Sequence, residues 1–308
     1  MKSAITVAML VALLVGIFSC QKDTDTCTAP QTYIYYSDYF VFVANDGGSP
    51  LVIPMDMNWK PINNGYEKEF KSWHGTANPW PINYLKQDVS VCTLPQESWE
   101  HTDDTNFQFN STTRQISSNI AGGPTVAVTI PPSSAWVQLP DSSNYKELYA
   151  FKTSATVDGN SRSGWMIYER IRREAALGPG GDFKAFYWMP IVVNGNFYYF
   201  QDHSGVQSAC RWVDNGSSIV AETIPSFTLN ILATASDATS GRNNVVSQLQ
   251  IIAPAWNIDL TLNSTGNQIG YGPQFPNGLG LYRQSLLEPA ANSVTTGYGM
   301  LELILEDD

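Results

Sequence analysis

Histidine is scarce in this chain, three in 308 residues, and none of its four cysteines forms a CxxC or Cys/His pair with metal-ligand spacing. No metal centre and no cofactor are expected. Basic charge is scarce too: 17 Lys and Arg stand against 28 Asp and Glu, a formal net charge of −11. Phosphate contacts need a basic face, so nucleic acid is excluded as a partner. No Gly-x-Ser-x-Gly elbow occurs, although Gly-x-Ser fragments do, which argues against a serine hydrolase. Few segments sustain a 3.6-residue apolar period, so a helical protein is not expected.

Long apolar runs are also lacking, with one exception. Ala4 to Phe18 is apolar apart from Thr6 and Gly16. It is too short for the roughly 20 residues of a membrane span and has the length of a signal-peptide core, about 7–15 residues. The run ends Ile17-Phe18-Ser19-Cys20, which resembles the lipobox of bacterial lipoproteins, although Phe18 is bulkier than the usual pattern. The resemblance implies a signal peptide over 1–19, acylation of Cys20, and a membrane partner through that lipid anchor. Two or three acyl chains hold firmly, since each buried CH₂ contributes about 0.8 kcal/mol. Residues 20–31 then read as a lipidated tether. Its start, Gln21-Lys22-Asp23-Thr24-Asp25, resembles the export signal of some surface lipoproteins. The expected location is the outer membrane, facing the cell surface or, alternatively, the periplasm. Beyond Cys20 remain Cys27, Cys92 and Cys210, an odd number that allows one bridge at most. Cys92 and Cys210 read as small buried residues.

What the chain has in quantity is short runs of Val, Ile, Tyr, Phe and Thr between turn residues. Strands are predicted over Tyr33–Val43, Leu51–Trp59, Val89–Cys92, Asn106–Phe109, Thr125–Ile130, Ala135–Leu139, Leu148–Val157 and Trp165–Ile171. The second half continues with Phe186–Val193, Phe197–Gln201, Ser208–Val213, Phe227–Ala233, Val245–Ile252, Trp256–Leu262 and Gly299–Leu305. Asn45-Asp46-Gly47-Gly48, Asp158-Gly159, Asn194-Gly195 and Asn215-Gly216 are the intervening turns. Arg172 to Leu177 favours helix by propensity, and the stretch through Gly181 is the predicted linker.

The two halves echo each other. Gly164-Trp165-Met166-Ile167-Tyr168-Glu169-Arg170-Ile171 aligns without a gap on Gly297-Tyr298-Gly299-Met300-Leu301-Glu302-Leu303-Ile304. Tyr39 to Asn45 likewise resembles Trp188 to Asn194. Two matches in the same order predict two copies of one β-fold. Alternation puts Met166, Tyr168 and Arg170 on one strand face, and Trp165, Ile167, Glu169 and Ile171 on the other. A Glu among Trp and Ile is expensive to bury unless paired or protonated, and its presence in both halves favours a structural role.

Several pieces in order carry a family resemblance: Phe186-Tyr187-Trp188, Asn194-Gly195, Tyr198 to Asp202, Ser226 to Leu229, Ile258 to Leu262, and Gly297 to Glu302. They resemble the C-terminal domain of the AttH-like family, which includes the carotenoid 1,2-hydratases. The first half matches through Tyr39–Trp59 and Gly164–Glu169. The resemblance implies an all-β protein of two consecutive lipocalin-like (calycin-type) antiparallel β-barrels, at 32–180 and 181–308. It also implies an acidic residue that protonates an alkene. Where that family often has Trp-Met-Asp-His-Glu, this chain has Trp165-Met166-Ile167-Tyr168-Glu169. Ile cannot donate a proton and Tyr is a weak acid, so the hydratase chemistry is poorly supported.

Three functional readings stand at this point. The first is binding of a hydrophobic or amphipathic small molecule, lipid- or isoprenoid-like, in or between the barrels and without catalysis. Its lining candidates are Trp73, His74, Trp80, Tyr168, Glu169, Tyr187 and Trp188, each of which also reads as ordinary core packing. The second is a hydratase, cyclase or isomerase, with Glu169 as acid and His74 or Tyr168 assisting. The third is glycan binding through some of the nine Trp and fifteen Tyr. Ligand identity and oligomeric state stay open.

Overall fold

The computed structural model of the chain describes residues 35–46, 49–62, 65–73, 82–89, 107–110, 113–131, 135–138, 144–173, 185–237, 242–270 and 281–305. The first half contributes β1 (Tyr35–Asp46), β2 (Ser49–Ile62), β3 (Gly65–Trp73), β4 (Ile82–Val89), β5 (Phe107–Asn110), β6 (Gln115–Ser118), β7 (Val126–Thr129), β8 (Ala135–Gln138), β9 (Asn144–Val157) and β10 (Asn160–Arg173). The second contributes β11 (Ala185–Val193), β12 (Asn196–His203), β13 (Val206–Asp214), β14 (Ile219–Ile224), β15 (Thr228–Asp237), β16 (Arg242–Ala253), β17 (Ile258–Gly270), β18 (Leu281–Pro289) and β19 (Gly297–Leu305).

The strand order is β4-β3-β2-β1-β10-β9-β7-β6-β5 in one sheet, with β8 also on β9, and β14-β13-β12-β11-β19-β18-β17-β16-β15 in the other. Apart from β8 the two orders are the same, element for element, and every pairing is antiparallel. The fold is all-β, two consecutive lipocalin-like sheets, each curled into a half-barrel around its own core.

Register confirms the internal repeat residue by residue. In the first sheet Ala44 faces Gly164 and Tyr39 faces Glu169; in the second Val193 faces Gly297 and Trp188 faces Glu302. Tyr39 and Trp188 are therefore equivalent positions, as are Glu169 and Glu302. Two of the repeat's glycines are required by close approach. A Cβ on Gly164 would overlap the Val43 carbonyl oxygen, and one on Gly299 would overlap that of Pro190.

Alternation divides the central strands between two environments. Phe40, Phe42, Ile53, Met55, Met57, Phe151, Met166 and Tyr168 fill the concave core of the first sheet. Met189, Ile191, Tyr198, Phe200, Leu301 and Leu303 fill that of the second. The opposite faces pack on each other: Tyr39, Val41, Val43, Leu148, Trp165 and Ile167 meet Trp188, Phe197, Tyr199, Cys210, Trp212 and Met300. Burial on both faces explains why Tyr39 to Ala44 is continuously apolar. Cys210 is buried in this layer, outside any disulfide, as the sequence suggested.

Three turns take the expected two-residue form or close to it. Asp158-Gly159 and Asn194-Gly195 are left-handed at both positions, with φ of 48° and 79°, and 49° and 79°. Gly216 is left-handed after Asn215. The helical tendency of Arg172 and Arg173 is overturned, because both belong to β10, paired with Tyr36 and Tyr35 on one side and Tyr145 and Asn144 on the other. Two ladders outweigh a propensity worth a few tenths of a kcal/mol per residue. Of the strand expected at Val89–Cys92, Val89 belongs to β4, and residues 90–92 lie outside the described residues.

Candidate functional site

Two adjacent rows of side chains cross the concave face of the first sheet. Directly paired residues of antiparallel strands project to the same side, so register alone assembles them. One row is Ser72, Met55, Phe40, Tyr168 and Tyr149, on β3, β2, β1, β10 and β9. The next, two residues along each strand and so roughly 7 Å away, includes Met57, Asp38, Arg170 and Glu147.

The first row is aromatic at its centre. Phe40 and Tyr168 stack with centroids 4.6 Å apart, and Tyr149 stacks on Tyr168 at 5.4 Å. The second row is charged. The Tyr168 hydroxyl donates to Asp38 Oδ1 at 2.6 Å, and that carboxylate is fully buried. The Tyr149 hydroxyl donates to Glu147 Oε2 at 2.9 Å, which Arg170 also approaches at 3.4 Å. Two carboxylates, one guanidinium and two phenols thus stand over an apolar floor of Phe42, Met55, Met57, Phe151 and Met166. Charges are buried at a penalty of several kcal/mol unless paired. Here Tyr168 donates to Asp38, and Tyr149 and Arg170 both reach Glu147.

The second half-barrel lacks this set. Through the repeat, Asp38 corresponds to Tyr187, Tyr168 to Leu301, Arg170 to Leu303 and Glu147 to Arg283. Arg283 donates to the Val246 carbonyl at 3.3 Å, and burial lowers its pKa, with Asp237 opposing. Tyr187 has its pKa raised by burial first and then by the charge of Asp202.

The layer between the sheets carries a second polar group. Trp188 Nε1 donates to Glu169 Oε1 at 3.2 Å. On the equivalent side, Gln284 Nε2 donates to the Tyr39 hydroxyl at 2.7 Å and to Glu302 Oε2 at 2.8 Å. Tyr199 lies among them, its ring edge-on to Trp188 at 5.7 Å and its hydroxyl bonded to Gln201. Its pKa stands well above 10.0, first through burial and then through the charges of Glu169, Cys210 and Glu302. In this layer of β1, β10, β11 and β19, Glu169 is held by Trp188 of the opposite sheet, and Glu302 by Gln284 of its own sheet, which also bonds Tyr39 of the other.

The site residues read from sequence therefore divide. Tyr168 lies in the first half-barrel, Tyr187 on the corresponding face of the second, and Glu169 with Trp188 between the sheets. Glu169 and Tyr168 are neighbours in sequence on opposite faces of β10. Cys20, His74 and Trp80 lie outside the described residues, as does the side chain of Trp73, the last residue of β3. The sequence names Glu169 as the candidate acid; the buried carboxylate that faces the core of the first half-barrel is Asp38, on the adjacent strand. Its signal was present: in Tyr35-Tyr-Ser-Asp-Tyr-Phe-Val-Phe the charge falls on the same alternation as Phe40 and Phe42.

At the outer rim, a cleft of about 390 Å³ between the sheets is lined by Lys152, Thr153, Ser154, Ser163, Asp214 and Ser217, among others. Lys152 and Asp214 form an ion pair across it at 3.1 Å.

No family model matches the chain, and no curated protein does. Among solved structures, a protein assigned as AttH from Nitrosomonas europaea is similar over 88% of this chain and 92% of its own, with a TM-score of 0.61 at 10% identity. Kievitone hydratase from Nectria haematococca is similar over 92% of this chain and 94% of its own, with a TM-score of 0.50 at 11% identity. These likenesses show the fold, the two-sheet architecture expected from the AttH-like resemblance.

Proposed function

We propose that the protein is an enzyme of hydratase or cyclase type that acts on a hydrophobic small molecule in the first half-barrel. Asp38 and Tyr168 are its proton-handling pair. The observation that carries this reading is the 2.6 Å hydrogen bond between two side chains buried among apolar residues, at positions that hold Tyr187 and Leu301 in the other half. In a hydration, the pair would deliver a proton to one carbon of a double bond. Water would add to the other carbon and return its proton to the pair. In a cyclisation, the electrons of a second double bond would take the place of water, and a proton lost from a neighbouring carbon would return to the pair. Likeness in fold to a hydratase supports the reaction class.

The test is to incubate the full-length protein with an apolar metabolite extract in heavy-oxygen water and profile the products by mass spectrometry. The expected result is a compound consumed and replaced by one carrying solvent oxygen, or by an isomer. Asp38→Asn should lower that conversion about 100- to 10,000-fold, the usual worth of a positioned acid or base. A compound retained unchanged would instead identify a non-catalytic carrier, the other small-molecule reading of the sequence. No compound retained or altered would overturn both.

We also propose that Cys20 anchors this activity at the cell envelope, on the strength of the lipobox-like Ile17-Phe18-Ser19-Cys20. Metabolic labelling with radioactive palmitate should mark the protein, and Cys20→Ala should abolish the label. Labelling that survives the substitution would overturn the assignment.

A further inference from the structure

Ser72 extends the aromatic row on β3, between Met55 of β2 and Asn83 of β4. The residue is fully buried, and its Oγ has no hydrogen-bond partner among the described residues. It pairs with Met55 in register, so it projects toward the same concave core as Met55, Phe40 and Tyr168. A buried hydroxyl left unsatisfied is destabilising by about 1–3 kcal/mol, and native structures hold few such groups.

The internal repeat supplies a control within the same molecule. Ser72 faces Met55, which faces Phe40; in the second sheet Ala209 faces Phe200, which faces Met189. Ala209 is therefore the equivalent residue, and it sits buried in the second core. The architecture accepts a methyl group at this place, so the oxygen at Ser72 is no requirement of the sheet. Ser118 Oγ is also buried on the concave face of the first sheet, without a partner among the described residues. Its row continues through Val126 and Val157, with no titratable side chain. Ser72 alone of the two shares a row with Tyr168 and lies one row from Asp38.

We infer that Ser72 Oγ is a ligand anchor, and that the molecule taken by the first half-barrel is apolar but bears a hydroxyl or carbonyl oxygen that hydrogen-bonds to Ser72. A pure hydrocarbon would leave the serine unsatisfied. The oxygen fixes the molecule along the row, so that a carbon several bonds away lies over the Asp38–Tyr168 pair. This deepens the proposed function and rests on its placing the site in the first half-barrel.

The experiment compares two probes that differ by one hydroxyl, 2-naphthol and naphthalene, by fluorescence titration of the full chain. The wild-type protein should bind 2-naphthol about tenfold more tightly than naphthalene, the worth of about 1.4 kcal/mol. Ser72→Ala should remove that preference and leave naphthalene affinity unchanged. Ser72→Thr, which keeps the hydroxyl, should retain the preference, and Ser118→Ala should behave as wild type. A preference that persists in Ser72→Ala overturns the anchor while leaving the half-barrel site intact. Binding of neither probe overturns the half-barrel site and the anchor together.

Discussion

Tyr39 and Trp188 occupy one and the same position in two copies of a sheet, and they touch, with ring centroids 5.3 Å apart. Contact between equivalent residues is what a two-fold axis produces, and the neighbours follow it. Trp188 binds Glu169, while Tyr39 reaches Glu302 through Gln284. Trp165 stacks near Phe197 at 5.9 Å and bonds the Gly195 carbonyl at 2.9 Å.

Tyr168→Phe keeps both ring stacks and deletes the donor to Asp38. Stability should fall by about 1–3 kcal/mol, because a buried carboxylate loses a partner. Urea denaturation should show a lower midpoint with an unchanged slope. Any conversion detected with the wild-type protein should fall with it.

Glu169→Gln retains an acceptor oxygen for Trp188 Nε1 and lies outside the half-barrel core. It should leave conversion unchanged, in contrast to Asp38→Asn. Trp188→Phe leaves the Glu169 carboxylate without that donor and should cost about 1–3 kcal/mol. In a double-mutant cycle, the two substitutions should couple rather than add.

Gly299→Ala and Gly159→Ala form a matched pair. At Gly299 a methyl group meets the Pro190 carbonyl of the adjacent strand, and at Gly159 it meets open space in a turn with φ +79°. The first should destabilise by about 3 kcal/mol or more through overpacking, the second by about 1–2 kcal/mol through backbone conformation alone. Equal losses in thermal denaturation would contradict this assignment of causes.

Alkali should loosen the molecule. Burial raises Tyr199 well above 10.0, and raises Tyr187 and Tyr298 as well. The unfolded chain gives up these protons first, so stability is intact below about pH 10 and falls as pH climbs from there toward the folded values. Tyr199→Phe should flatten the decline, measured as urea midpoint against pH. Absorbance titration should show Tyr199 ionising only with unfolding.

The strands buried on both faces were the legible ones, because Tyr39–Ala44 and Phe186–Val193 are nearly all apolar. So was the repeat, whose Gly164…Ile171 and Gly297…Ile304 alignment is the observed register. Strands β3, β4, β6, β14 and β18 were not foreseen in these places. Gly65-Tyr-Glu-Lys-Glu-Phe-Lys is rich in charge, and β18 buries Arg283, Gln284 and Ser285, whose burial depends on partners from other strands. Alternation separates Tyr168 from Glu169 on β10 as expected, but Tyr168 is the inward one and Glu169 lies between the sheets, where the sequence alone suggests an inward or rim position for the Glu. Asp38 was missed because its significance comes from a residue 130 positions away, and only the β1–β10 register brings them together.

The shared strand order has a bearing on change itself. In a symmetric pair of separate, identical chains, every substitution appears twice, once in each pocket. Joined in a single polypeptide, the copies vary independently. One concave face here carries Asp38, Tyr168 and Arg170 where the other carries Tyr187, Leu301 and Leu303, while the Glu at 169 and 302 stays the same in both. Covalent tandem arrangement thus lets the two concave faces diverge while the layer between them keeps its matched pairs.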